Sequence, residues 1–362
     1  MTATVVAGDD PRVRRSLIQV AGWCMPGCEP IEPVTDPAVA DALVDAAAEH
    51  RLSGVLAVAA DAGELSLPPA ALDAAREHHR HALVWCLRLE VELLRLAALL
   101  SHAGVAPVVL KGAAAAHLDA AEPSLRPFAD IDLLVAGTDV DRTVALIEAD
   151  GTRRSWAERR PGFDHRFAKS VTLRRPDGLE LDLHRSLCDG AHGFRIPLRD
   201  LFDQAVPWQL AGTELRALSP VHRVLHTAYH LVLGSRHPRL MSLRDLAGHL
   251  TDDLIDREEV VAEAGRWRGE AVLASAVLQA VDTLGVSAPA WERWARALRS
   301  TPRERAIIER QRQEGSGIGR AKLDALRELG WGDRGAYALA LAVPSRAHLR
   351  SRGLTRWDLV SR

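Results

Sequence analysis

Two short stretches place acids where a folded chain would ordinarily bury aliphatic side chains. Asp130 and Asp132 flank Ile131 in L-R-P-F-A-D-I-D-L-L-V (125–135), and Glu180 and Asp182 alternate with leucines in G-L-E-L-D-L-H (178–184). A carboxylate in an apolar strand is costly unless a cation meets it. Side chains of a strand alternate, so Asp130 and Asp132 are expected on one face, about 7 Å apart, with Ile131 and Leu133 on the other. Acids so placed can hold hard divalent cations through oxygen. Asp182, set between Leu181 and Leu183, offers the third acid that a pair of metals needs, whereas Glu180 lies nearer a turn and is expected to be solvated. Acids on a half-exposed sheet are the plainer alternative. That alternative accounts less well for D-I-D running straight into L-L-V, which sets Leu134 on the acids' own face.

A cation is available upstream. Of 46 basic residues only Lys111, Lys169 and Lys322 are lysines, and Lys111 closes the run V-V-L-K-G (108–112). Gly112 permits close backbone approach, the helix-forming A-A-A-A-H-L follows, and the amide groups of a helix start favour phosphate. His222, His226 and His230 are spaced four apart on one helix face; with no Glu between them they lack the zinc-hydrolase pattern, and His230 is the one expected to face a cleft. His184 shares the face of Asp182 and can orient a ligand or make a structural hydrogen bond. Arg244 and Asp245 can form an ion pair within their helix or brace an acceptor site. Cys24 and Cys28 read as free thiols, and Trp331 and Trp357 as core residues rather than base-stacking platforms.

The elements that must position these groups fall into three stretches. Residues 1–104 read as mostly helical after a Pro-rich, irregular start, with Leu83, Leu87, Val91, Leu94 and Ala98 as one apolar stripe of a long helix ended by Gly104. Residues 105–210 read as a small mixed α/β unit: a strand at V-V-L, a Pro-bounded loop, the D-I-D strand, a helix near 139–149, and a hairpin around P-D-G. Residues 211–362 read as helical again, opening at Ser219-Pro220. The fold class is therefore α+β, a small mixed-sheet core flanked by helical regions. At 47% hydrophobic and 26% charged residues the chain has ordinary globular composition, and its net charge of -2 argues against long nucleic-acid partners. No apolar run is long enough for a membrane span, and the N-terminus has no charged-then-apolar leader pattern, so a cytoplasmic location is expected.

The succession V-V-L-K-G, then L-R-P-F-A-D-I-D-L-L-V, then L-E-L-D-L-H resembles the uncharacterised nucleotidyltransferase family of the polymerase-β-like superfamily. The likeness extends to the flanks, through His230, Arg244-Asp245 and the tail V-P-S-R-A-H-L-R, although Lys-Gly stands where the superfamily usually has Gly-Gly or Gly-Ser. The resemblance implies that Asp130, Asp132 and Asp182 hold two Mg²⁺ ions (Mn²⁺ could substitute), with Lys111, Gly112 and Arg126 on the triphosphate. His184, His230 and Asp245 would support the substrate or the acids. It also implies transfer of a nucleoside monophosphate from an NTP to a hydroxyl on a small molecule, natural-product intermediate or protein, with release of pyrophosphate. The rival expectation is a catalytically inactive, nucleotide-binding accessory protein of the same fold. A zinc hydrolase built on the 222–230 histidines is a third.

Overall fold

The computed structural model describes residues 10–234, 237–312 and 318–354. Its seven strands are β1 (Val108–Val109), β2 (Ile131–Leu134), β3 (Arg153–Arg154), β4 (Ser170–Arg174), β5 (Glu180–His184), β6 (Val206–Leu210) and β7 (Thr213–Ala217). They form one mixed sheet in the order β3-β4-β5-β2-β1-β7-β6. Helices precede, interrupt and follow it, so the fold is α+β, as the sequence pattern predicts.

The central pairing sets the register of everything that follows. β2 runs parallel to β5, with Ile131 opposite Leu181, Asp132 opposite Asp182 and Leu134 opposite His184. β1 runs antiparallel to β2, and the amide of Leu110 continues that ladder by donating to the Asp132 carbonyl at 3.0 Å. β4 and β5 form the expected hairpin, turned by Asp177 and Gly178 at φ +90°.

Alternation then sorts the side chains. Ile131, Leu133, Leu181 and Leu183 are buried with Leu89, Leu93, Leu96 and Leu100 of the long helix Pro69–His102. That helix therefore covers one sheet face, but not through the stripe expected from spacing. Leu87 and Val91 are 60% and 69% exposed, and the seam runs instead through Cys86, Leu89, Leu93, Leu96 and Leu100. Two apolar stripes compete on this helix, and only the docking partner decides between them.

The flanking helical regions are not separate bodies. One buried cluster unites Leu17, Leu43 and Leu56 with Val224, Leu246 and Val277. The Pro-rich start is more regular than expected, since Pro11–Gly22 is a helix capped by the Asp10 side chain. The expected break after residue 210 falls in the tip of the β6–β7 hairpin, and β7 belongs to the sheet through its parallel pairing with β1. Hydrophobic burial favours closing one large core over two small ones. Trp331, read as a core residue, is 87% exposed. Trp357 lies outside the described residues.

Candidate functional site

Asp132 and Asp182 stand side by side because parallel pairing sets residue 132 against residue 182. His184 reaches back across the same face, its Nε2 2.8 Å from Asp132 Oδ1, while its Nδ1 lies 3.1 Å from the Ser186 carbonyl. A neutral imidazole can donate to only one of two acceptors. Asp182 accepts from the Thr172 hydroxyl at 2.6 Å across the hairpin. Asp132, Asp182 and His184 each bring a ligand-capable atom to within 4.8 Å of the others.

The expected trio of acids is thus rearranged. Asp130 sits one residue before β2 in a bend, outside this compact set, and lines the neighbouring cleft. The ladder with β5 begins at Ile131, so Asp130 precedes the pairing that sets Asp132 beside Asp182. His184, expected to support a ligand, supplies the third ligand-capable atom instead.

The electrostatics divide the two acids. Burial would push the Asp132 carboxyl up, but the Lys111 ammonium, whose Nζ is 3.1 Å from Oδ1, and His184 together hold it well below the usual carboxylate range. For Asp130, burial and the Asp132 charge push the carboxyl up and outweigh the Lys111 and Arg51 charges, which pull it down. For Lys111, burial opposes the charge but is outweighed by Asp132 and Asp130, and its ammonium is held above the ordinary range. These are the directions expected when burial competes with close opposite or like charge.

A test of metal fit follows from these atoms alone. Asp132 Oδ2 is buried and has no hydrogen-bond partner among the described residues. An orphaned carboxylate oxygen in a buried site carries a desolvation cost that a cation would relieve. Two carboxylates and one imidazole suit a divalent ion of the magnesium, manganese or zinc kind. The residues fit such an ion.

Beside the acids lies a cleft of about 670 Å³, part of it open to solvent, lined by Lys111, Gly112, Asp130, Arg51, Arg239 and His230, among others. Gly112 turns the chain at φ +56° and ψ -119°, a conformation open to glycine, and a Cβ there would stand 3.4 Å from the Asp130 carbonyl oxygen. The helix it opens, Ala113–Leu118, is only six residues long. Arg126 also lines this cleft, with three of its five N–H groups already engaged. Its Nη2 donates to Asp245 Oδ2 at 2.8 Å, its Nε to Asp245 Oδ1 at 3.1 Å, and its Nη1 to the Gly112 carbonyl at 3.1 Å. Asp245 is thereby a brace for the Lys-Gly turn rather than a partner of Arg244, which donates to the carbonyls of Ala21 and Trp23 at 2.7 and 2.8 Å.

Arg51 and Arg239 were not legible as site residues in the sequence. Arg51 follows the helix Pro37–Glu49 at φ +62°, and Arg239 precedes the helix Leu240–Thr251. Each is one arginine among many, brought to the cleft by helix packing. Burial and the proximity of Arg239 push the Arg51 guanidinium down from its ordinary value. The histidine triplet divides: His226 and His230 line the cleft, while His222 is fully buried, stacked on Trp267 with ring centroids 5.7 Å apart. Burial and the nearby Lys111 charge hold the imidazoles of His226 and His230 well below their ordinary range. Among the described residues the three histidines form no ligand group. Cys24 and Cys28 are free thiols.

A mixed sheet bearing paired acids on neighbouring strands, next to a glycine turn and a cationic cleft, defines a nucleotidyltransferase-type core. The chain belongs to the family of uncharacterised nucleotidyltransferases, whose model matches residues 36–285. Among solved structures it is similar to an antigenic nucleotidyltransferase-like protein from Paracoccidioides brasiliensis, at 16% identity and a TM-score of 0.34 over 59% of this chain and 94% of that one. No curated protein matches. No helix among the described residues is long and apolar enough to cross a membrane.

Proposed function

We propose that the protein transfers a nucleoside monophosphate from an NTP to an acceptor hydroxyl, with a divalent cation, Mg²⁺ or Mn²⁺, at Asp132, Asp182 and His184. The observation that carries the reading is the orphaned, buried Oδ2 of Asp132, in register with Asp182 and held beside Lys111, which lines a cleft rich in cations. A bound divalent cation there would supply positive charge to the phosphoryl oxygens and lower the charge cost of attack.

The chain's own groups do the rest. Lys111, Arg51 and Arg239 offer positive charge to the triphosphate, and Gly112 lets the backbone come close. Asp130, at the mouth of the cleft, is placed to share a second cation carried in with the nucleotide. The acceptor oxygen forms a bond to the α-phosphorus, the bond from that phosphorus to the bridging oxygen breaks, and pyrophosphate leaves. The acceptor proton passes to Asp182, whose other oxygen is fixed by Thr172. Most of the rate gain would come from positioning and preorganised charge.

Titration calorimetry with ATP, GTP, CTP and UTP, with and without Mg²⁺, together with transfer of label from α-labelled NTPs, tests this. Mg²⁺-dependent NTP binding with label transfer, both lost in Asp132→Asn, is expected. Tight NTP binding indifferent to Mg²⁺ and without transfer would replace this reading with that of a non-catalytic nucleotide-binding protein.

A further inference from the structure

A second cavity lies on the other side of the acid pair. In the sheet order β4-β5-β2-β1, Lys111 follows β1 and Thr172 belongs to β4, so the two flank Asp132 and Asp182 from opposite edges. The nucleotide cleft includes Lys111. The second cavity, about 1000 Å³ with part of it open to solvent, includes Thr172, the residue that donates to Asp182, and shares no lining residue with the first.

Its walls come from three parts of the chain: the stretch from the loop after β3 into β4, Asp189 and Gly190 after β5, and the C-terminal helices. The first and last of these are tied to each other directly. Hydrogen bonds lock them together: Ser345 N to the Arg159 carbonyl at 2.7 Å, Ala157 N to Ser351 Oγ at 3.0 Å, and His348 Nδ1 to the Ala157 carbonyl at 2.8 Å. Behind the opening Phe163, Phe167 and Tyr337 form an aromatic wall, the rings of Phe163 and Tyr337 stacking with centroids 6.0 Å apart.

The lining carries four cations, Arg159, Lys169, Lys322 and Arg352, against two acids, Asp164 and Asp189. Asp164 is already taken by Arg154 at 3.2 Å. Among the described residues Arg159, Lys322 and Arg352 make no ion pair within 4 Å, and Arg352 instead lies 3.9 Å from the centroid of the Trp156 ring. Arg352 is exposed, whereas Arg159 and Lys322 are half-buried beside the aromatic wall, with no carboxylate in contact among the described residues. Their charge carries a desolvation cost that an anionic ligand would offset. The aromatic wall adds a planar, apolar surface for the body of such a ligand.

We propose that this cavity is the acceptor site, and that the acceptor is a small organic anion, a phosphate or carboxylate attached to a planar apolar group, whose hydroxyl reaches Asp182 past Thr172. The assignment as an acceptor site rests on the nucleotidyltransferase reading; the ligand chemistry rests on the cavity itself.

Titration calorimetry of the full chain with 1-naphthyl phosphate, 1-naphthoate and neutral 1-naphthol, alone and with saturating Mg²⁺-ATP, tests it. We expect at least one naphthyl anion to bind with a Kd no weaker than about 1 mM and about tenfold more tightly than 1-naphthol, without displacement by ATP. The stronger of the two anions identifies the head group. Arg159→Gln and Lys322→Gln should each weaken that anion about tenfold and leave Mg²⁺-ATP affinity unchanged. Absence of anion binding, preference for 1-naphthol, displacement by ATP, or indifference to both substitutions would each overturn the inference. The wild-type comparison decides the matter if either variant fails to fold. Failure of ATP to bind while the naphthyl anion binds as described would instead refute the nucleotidyltransferase reading, and the cavity would stand as an anion site only.

Discussion

Arg126 and Asp245, 119 residues apart in the chain, meet in a two-pronged ion pair that ties the loop before β2 to the helix Leu240–Thr251. The same guanidinium holds the Gly112 carbonyl at 3.1 Å, so the turn that presents Lys111 is clamped from the C-terminal half of the molecule. Both side chains are nearly buried, at 10% and 13% exposure.

Removing one member of that pair leaves the other charge stranded. Asp245→Asn is expected to cost about 3–5 kcal/mol in urea unfolding, whereas Arg126→Met with Asp245→Leu should recover much of the loss. A single substitution costing less than about 1 kcal/mol would show that the pair is not a brace.

The two acids of D-I-D should respond in opposite senses in metal-free protein. Asp132→Asn strands Lys111 and His184 and should lower stability by about 2–5 kcal/mol. Asp130→Asn removes a carboxylate that burial and Asp132 disfavour, and should raise the melting temperature at pH 7. Both should abolish label transfer. Thermal melts with a chelator present check the signs, and a fall for Asp130→Asn would contradict the assignment.

Asp164 gives a pH signature. Burial pushes its carboxyl up to about 6, against Arg154, which pulls it down. The folded state then holds this proton more tightly than the unfolded one, whose Asp titrates near its ordinary value of about 3.9. The group's favourable contribution is full below about pH 4 and is lost as pH rises through about 6. Relative to wild type, Asp164→Asn should therefore gain about 1–3 kcal/mol between pH 4 and pH 7. Denaturant titrations across that window measure the difference.

Gly112→Ala forces an L side chain into a glycine conformation against the Asp130 carbonyl. The expected cost is about 1–3 kcal/mol. NTP affinity should fall with it, because the turn that presents Lys111 must shift.

In the nucleotide cleft, Arg51→Ala and Arg239→Ala should each weaken NTP binding about tenfold, equivalent to about 1.4 kcal/mol, with a shallower salt dependence than wild type. Unaltered affinity in both would place the triphosphate elsewhere.

Much of the sheet could be read directly. The hairpin at P-D-G, the acid-bearing strands and the Ser219 cap are short-range features, set by turn chemistry and alternation within a few residues. Asp132, Asp182 and Lys111 were legible as a group because apolar neighbours on both sides mark them as acids and a cation in a buried sheet. The parallel register that sets Asp132 against Asp182 was not legible, since it depends on the crossover between the strands. Nor was the place of His184 in the ligand group, which follows from the same register.

The sequence by itself determined the element types over the core and which residues could do chemistry, because local propensity, alternation and charge are written residue by residue. Tertiary structure alone decided that Arg126 braces the Lys-Gly turn through Asp245, that Arg51 and Arg239 enter the cleft, and that Leu89 rather than Leu87 meets the sheet. It also decided that both helical flanks share one core and that the C-terminal helices close a second cavity beside Asp182. Each of these depends on which of several equally apolar or equally charged faces finds a partner, and burial makes that choice only once distant segments have packed.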